Sequence, residues 1–263
     1  MRRIDWIEAS GRIVDAIGTA GFPATLSNAL REIAPFDFTV VFGYVGSARP
    51  LDLYDDFPKK KRRVFVEDYQ EGPYLLDPFF LATTLPVAPG LWRMREIAPD
   101  RFYQGEYFRN YYIQTGLAEE IGYFVKLTEQ VIIVVSLMRA DRAFSAKEIR
   151  SLREVWPIVG AACRQHWRDV PAFSDATMDG GEDRRVQESI ARAFQTIGQG
   201  ILTPRERQVV EYTLKGHSAD AVGKILGIAP GTVRIHRRNI YLKLRISSQG
   251  ELFSEFIRAM LDQ

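Results

Sequence analysis

A single cysteine, Cys163, in 263 residues leaves no intramolecular disulfide to be made and no thiolate cluster to hold a structural metal. Its helical spacing with Val159 and Trp167 fits a small buried filler. Histidine is almost as scarce, and His166, His217 and His236 are too scattered to form a pair with metal spacing. No glycine-rich loop ends in Gly-Lys-Ser/Thr, and no Gly-x-Ser-x-Gly turn occurs, so neither phosphate cradling nor an elbow nucleophile is written into the chain. An enzyme is therefore not expected, nor is a cofactor or a metal. Long apolar runs are missing too, the longest, around Val131 to Met138, being far too short to cross a bilayer. The first turns carry Asp5 and Glu8 where a secretion signal would be apolar. A cytoplasmic protein with no membrane partner is the expectation. The most telling absence is of one charge: from Ala221 to Gly250 there is no Asp or Glu.

In that same stretch Lys224, Arg234, Arg237, Arg238, Lys243 and Arg245 supply six positive charges, a surface that attracts phosphate. The whole chain has a formal charge of only +2, so cation is concentrated near the carboxyl end, where residues 202–263 hold ten Lys or Arg against six Asp or Glu. A lone basic helical face is usually just a solvated face. The flanking signals argue otherwise. Thr203, Pro204 and Glu206 form a reciprocal cap for a helix running to about Leu214. Gly216 ends it, and Ser218 caps a second helix with Ala221, Val222, Ile225 and Leu226 expected inward. Gly227-Ile228 makes a turn and Pro230 opens a third helix. At about 100° per residue, Val233, Ile240 and Leu244 share a wedge of about 40°. Arg234, Arg238 and Arg245 share another, about a third of a turn away, with Ile235 just beyond. Ser248 and Glu251 repeat the capping pattern before Leu252, Phe253, Phe256 and Ile257. Four short helices around one small core are expected, with a basic reading helix for double-stranded DNA.

These residues resemble the LuxR-type (GerE-like) DNA-binding domain over about 60 residues, Leu202 to Leu261. The resemblance rests on Leu202-Thr203-Pro204-Arg205-Glu206, Gly216, Leu226-Gly227-Ile228, Thr232-Val233, His236, Asn239-Ile240-Tyr241 and Lys243-Leu244. Four positions depart from it: Ala229 for a capping Ser, Gly231 for a larger residue, Arg245 for Gly and Gln249 for Arg. The resemblance implies that Arg234, Ile235 and Arg238 enter the major groove. An arginine fork suits guanine O6 and N7, and a branched aliphatic suits a thymine methyl. Thr232, His236, Arg237, Lys243 and Lys224 are expected on phosphates, where they fix register without reading sequence; His236 could equally be a buried structural residue.

Some 170 residues remain for at least one further domain. Asp5 to Ile17 and Ala24 to Ile33 have helical spacing. Phe38 to Val45, Ile121 to Leu127 and Gln130 to Arg139 are rich in β-branched and aromatic residues, the last two forming a hairpin across Thr128-Glu129. Phe144 to Trp167 reads as one long amphipathic helix opened by Ser145. The fold class is α+β: an α/β/α sensor sandwich of the GAF or PAS type with a mainly antiparallel sheet, followed by the all-α helix-turn-helix domain. The domains are expected at 1–170 (sensing and dimerisation), 171–185 (linker) and 186–263 (DNA binding), the last opening with a lead-in helix over Val186 to Ile197.

Between Asp68 and Tyr123 aromatic rings interleave with a few charges, the composition of a small-molecule pocket. Tyr69, Tyr74, Asp77, Trp92, Phe108 and Tyr111 are its candidate ligand contacts. Asp77-Pro78 followed fifteen positions later by Trp92 is similar to the pattern of acyl-homoserine lactone receptors, although the upstream Trp and Tyr of that pattern fall on Val64 and Asp68. An acidic residue among rings would suit an amine equally well. The sequence thus implies a ligand-responsive, one-component transcriptional regulator that binds DNA as a homodimer, with RNA polymerase as a further partner if it activates. The alternatives are a receptor for an acyl-homoserine lactone or related signal, and a regulator whose amino-terminal domain binds a protein. A phosphorylated receiver fits poorly, because the chain starts with a helix rather than a strand.

Overall fold

Antiparallel pairing organises the amino-terminal part of the chain in the computed structural model, which describes residues 3–46, 48–71, 73–84, 87–102, 115–170, 192, 194 and 196–261. Helices α1 (Arg3–Ala16) and α2 (Phe22–Ile33) lead into β1 (Phe38–Val45) and β2 (Leu51–Asp55). Short turns follow: α3 (Lys59–Arg62), a π turn (Arg63–Glu67), α4 (Asp68–Gln70), a 3-10 turn (Pro73–Leu76) and α5 (Pro78–Thr83). Then come β3 (Gly90–Arg93), α6 (Met94–Ile97), β4 (Glu119–Lys126), β5 (Val131–Arg139), α7 (Ala146–Glu154) and α8 (Trp156–His166). The five strands lie in the order β2-β1-β5-β4-β3, every pair antiparallel. The β4–β5 hairpin closes at Thr128, whose hydroxyl accepts from the amides of Gln130 and Val131.

Alternation along the strands assigns each residue a face. Val41, Ile121, Tyr123, Val125, Ile133, Val135 and Leu137 pack with Ile13, Phe22, Leu26, Leu30, Ile149, Leu152, Val159 and Cys163 from the four long helices. Each Val, Leu, Ile or Phe side chain among them, fully buried, contributes about 1.5 to 3 kcal/mol. Phe42, Tyr44 and Phe124 point the other way, against the rings of Tyr69, Phe80 and Phe79 from the short turns. Gly122 makes the second layer possible: a Cβ there would lie 2.9 Å from Phe79 Cε2.

One expected element divides. The long helix over Phe144 to Trp167 is two helices, broken at Val155, with Pro157 in the first turn of the second. A proline there lacks the amide that would continue the earlier ladder. Ser145 opens α7 with a complete capping box to Glu148. Cys163 is buried and burial pushes its thiol far above the ordinary range, so it is an inert filler.

The chain divides into two compact units, Met1–Ile97 with Gly116–Gly181, and Ala98–Thr115 with Glu182–Gln263. In the second unit four helices follow Thr203 among the described residues: α9 (Pro204–Leu214), α10 (Ala219–Leu226), α11 (Pro230–Leu244) and α12 (Gln249–Leu261). The expected linker lies outside the described residues, as does most of the expected lead-in helix. Among the described residues no helix is long and apolar enough to cross a membrane.

Candidate functional site

Two side-chain caps and one uncapped start set three helices of the second unit. Thr203 accepts from the Glu206 amide while the Glu206 carboxylate returns to the Thr203 amide at 2.8 Å. Ser218 caps α10 through the Ala221 amide, and its own amide donates to Asp100 at 2.9 Å. Ala229 precedes α11 with no side-chain bond, which leaves Pro230 as the only local signal for that start. Between α10 and α11 the chain reverses at Gly227, φ 65°, a left-handed conformation that glycine adopts without Cβ strain. Gly223 lets the helices close: a Cβ there would sit 2.7 Å from the Ile228 carbonyl oxygen. Val209, Val210, Leu214, Val222, Val233, Ile240, Leu252 and Phe256 are buried.

Those buried positions decide which side of α11 faces outward. With Val233 and Ile240 inward, Thr232, Arg234, Ile235 and Arg238 are exposed, and Ile235, 61% exposed, is a large aliphatic left in solvent. The three expected base readers therefore project together from one face. Lys224 on α10 is exposed, whereas His236 and Arg237 are half-buried, Arg237 Nη2 donating to Tyr241 Oη at 3.4 Å. Lys243 is committed internally: Nζ donates to both oxygens of Glu206, at 2.9 and 2.8 Å. Burial would raise the Glu206 pKa, but the bonds from Lys243 and Thr203 outweigh it and hold the carboxyl below its usual range. Arg234 Nη2 lies 3.7 Å from Asp220 Oδ2.

In the first unit Tyr69, Tyr74 and Asp77 form one cluster. Tyr69 Oη donates to Asp77 Oδ2 at 2.6 Å and lies 3.0 Å from Tyr44 Oη, while its ring stacks on Phe42 with centroids 5.0 Å apart. Tyr74 meets the Tyr69 and Phe80 rings edge-on. Asp77 caps α5, accepting from the Phe79 amide at 2.8 Å. Burial pushes its carboxyl up to about 6, against the lowering effect of Tyr69 and Phe79. Trp92 is held elsewhere. Its Nε1 donates to the Ala88 carbonyl, and it lines an open cleft of about 390 Å³ with Pro89, Gly90, Leu91, Arg153 and Trp156. Phe108 and Tyr111 lie outside the described residues.

A family model described as bacterial regulatory proteins, luxR family, matches residues 200–256. An HTH-type transcriptional regulator of Aeromonas salmonicida, in the exeN 3' region, is 32% identical over 188 residues, covering 70% of this chain and 95% of that protein. The chain belongs to the LuxR family. As a LuxR-family protein it is a transcriptional regulator with a DNA-binding helix-turn-helix at its carboxyl end. It is also 26% identical over 248 residues to the transcriptional activator protein PhzR of Pseudomonas fluorescens, covering 91% of this chain and 88% of that one. Its fold matches the VqsR LBD domain from Pseudomonas aeruginosa with a TM-score of 0.54 and 25% identity, over 61% of this chain and 95% of that one.

Three features of this LuxR-family chain are not as the sequence pattern alone suggests. Ile225, expected inward, is 46% exposed, and Gly223 is the α10 residue that lies against the turn into α11. The Glu251 carboxylate bonds the Ser247 amide rather than that of Ser248, although Ser248 Oγ does accept from the Glu251 amide. Tyr44 joins the Tyr69–Asp77 relay from a strand 25 residues upstream of Tyr69. Strand alternation puts Tyr44 on the face of Phe42, a signal present in the sequence; which elements cover that face is not.

Proposed function

We propose that this regulator reads promoter DNA with Arg234, Ile235 and Arg238 in the major groove, and that its affinity is set by a small molecule bound at the Tyr69–Asp77 cluster. The observation that carries the DNA half is the shared exposure of those three side chains on the part of α11 turned away from buried Val233 and Ile240, in a stretch with no acidic residue from Ala221 to Gly250. Arg238 and Arg234 bring two guanidinium forks to guanine edges, and Ile235 an apolar surface to a thymine methyl. Thr232, His236, Arg237 and Lys224 take phosphates. Lys243 sits against Glu206, so its larger contribution is to hold α11 against α9. A homodimer on an inverted repeat supplies enough base contacts for useful discrimination.

The ligand half draws support from a buried carboxyl with a raised pKa, a hydroxyl relay and surrounding rings. Such a site suits a ligand that brings an N–H or ammonium donor to Asp77 and an apolar body to Phe42, Tyr74 and Phe80. The neighbour's description as an LBD domain points the same way. An acyl-homoserine lactone keeps the Asp77 half of its pattern here, but Trp92 bonds Ala88 instead.

Selection of binding sites from random DNA by the full chain tests the reading helix. Arg238→Ala should cost about 1 to 3 kcal/mol and relax choice at one position. Arg237→Ala should weaken all sequences alike and lower the salt slope by about one. Wild-type site preference in Arg238→Ala would remove the placement of α11 in the groove.

A further inference from the structure

Asp220 is the last acidic residue before the long stretch that has none, and it stands beside the cations of the reading helix. A carboxylate on a surface that meets phosphate weakens binding to every DNA sequence alike, because the backbone charge does not depend on the bases. Its place in the first turn of α10 is favourable for an acidic side chain, but that benefit needs no particular partner. Asp220 nevertheless has one. Its Oδ2 lies 3.7 Å from Arg234 Nη2 on the next helix, and the two side chains remain 65% and 64% exposed. Exposed pairs of this kind add little to stability, so the fold does not account for it.

The backbone holds the two helices in one relation. Gly227 reverses the chain in the left-handed conformation, and the close approach of Gly223 to the Ile228 carbonyl leaves no slack between α10 and α11. The carboxylate is thus presented to Arg234 from a fixed side. An untethered arginine, with its long flexible stem, can swing to whichever phosphate is nearest and then carries no sequence information. One drawn by a carboxylate at ion-pair distance, without a hydrogen bond to use up its donors, is biased to one side of the helix, and all its N–H donors stay free for the two-pronged contact with guanine O6 and N7.

We propose that Asp220 is a positioning residue for base choice: its carboxylate orients the Arg234 guanidinium towards a guanine edge, lowering affinity for DNA in general while raising discrimination at one base pair. This rests on the reading of Arg234 as a base-contacting side chain. It is tested by measuring base preference at every position of a randomised site library for the full chain and for Arg234→Ala, Arg238→Ala, Asp220→Ala, Asp220→Asn and Asp220→Glu.

Arg234→Ala should flatten preference at one position. Asp220→Ala and Asp220→Asn should flatten that same position, by between about fivefold and a hundredfold, while binding to unrelated DNA tightens; Asp220→Glu should restore the preference. The position governed by Arg238 should keep its wild-type preference in every Asp220 variant, which shows that the reading helix is still folded and docked. Uniformly tighter binding with preference unchanged at the Arg234 position would make Asp220 a repulsive charge only, and would overturn the inference while leaving base reading by Arg234 intact. If Arg234→Ala itself altered no position, base reading by Arg234 would be wrong and the role of Asp220 would fall with it.

Discussion

Replacing Asp77 by Asn keeps the shape of the side chain and removes its proton equilibrium, so the variant isolates what burial of that carboxyl does to stability. In the native protein the group is 8% exposed and accepts from Tyr69 Oη and the Phe79 amide. Burial outweighs those two bonds and lifts its pKa from 3.8 to about 6. A folded-state value above the unfolded one means that the folded chain keeps its proton where the unfolded chain has released it. Stability is therefore lost as pH rises from about 4 to about 6, and the loss is complete above that window. A shift of roughly two pH units at 1.36 kcal/mol each amounts to about 3 kcal/mol. Every tryptophan, Trp6, Trp92, Trp156 and Trp167, lies in the first compact unit, as Asp77 does, so fluorescence during urea unfolding reports that unit. The unfolding free energy of Asp77→Asn minus that of wild type should rise by about 2 to 3 kcal/mol between pH 4 and pH 7, the rest of the change lying below pH 4. Other carboxylates cancel in the difference. The new amide reverses the bond with Tyr69, which displaces the difference curve without bending it. A curve flat to within about 0.5 kcal/mol would show that Asp77 ionises in the fold as readily as in the open chain, and the argument from burial would fail.

Three other substitutions have outcomes fixed by the structure. Arg245, at φ 56°, is the one non-glycine residue with positive φ among those described, so Arg245→Gly should stabilise the carboxyl-terminal domain by about 1 kcal/mol in calorimetry; a lower transition temperature would contradict the strain. Lys243→Ala strands the buried Glu206 carboxylate and should cost about 1 to 3 kcal/mol at pH 7. Because the Glu206 pKa is lowered in the fold, the support of this pair is present above the ordinary carboxylate range and lost as pH falls through the lowered value, so the gap between this mutant and wild type should shrink steadily as the pH is taken below the ordinary carboxylate range. Gly122→Ala drives a methyl to 2.9 Å from the Phe79 ring and 3.1 Å from Val134 Cγ1, an overpacking worth about 1 to 3 kcal/mol, read as a lower urea midpoint by fluorescence.

The carboxyl-terminal domain was legible because its signals are local. Thr203, Pro204 and Glu206 settle where α9 begins, Gly216 and Ser218 where α10 does, and the structure has those boundaries within a residue. Departures from the family pattern were legible too: Arg245 in place of Gly appears as a left-handed C-cap. The amino-terminal sheet was half legible. Strands β1, β4 and β5 are central, buried on both faces and rich in β-branched residues, whereas β2 and β3 are short edge strands whose five and four residues carry too little pattern to stand out.

What the sequence does not encode locally is which side chains meet across elements. Asp77 and Trp92 look like a pair at fifteen residues' spacing, yet one caps α5 beneath Tyr69 and the other bonds Ala88 beside Arg153 and Trp156. Lys243 reads as a free cation on a basic helix, and its partner Glu206 reads as half of a capping box; only packing of α11 on α9 makes one carboxylate serve both. That sharing has a mechanical consequence. The carboxylate that closes the first turn of α9 also anchors the last turn of α11, so the start of the first helix and the end of the reading helix move together. On the proposed reading, a helix held this way fixes the backbone positions from which Arg234, Ile235 and Arg238 project, so that DNA binding has only their side chains left to order.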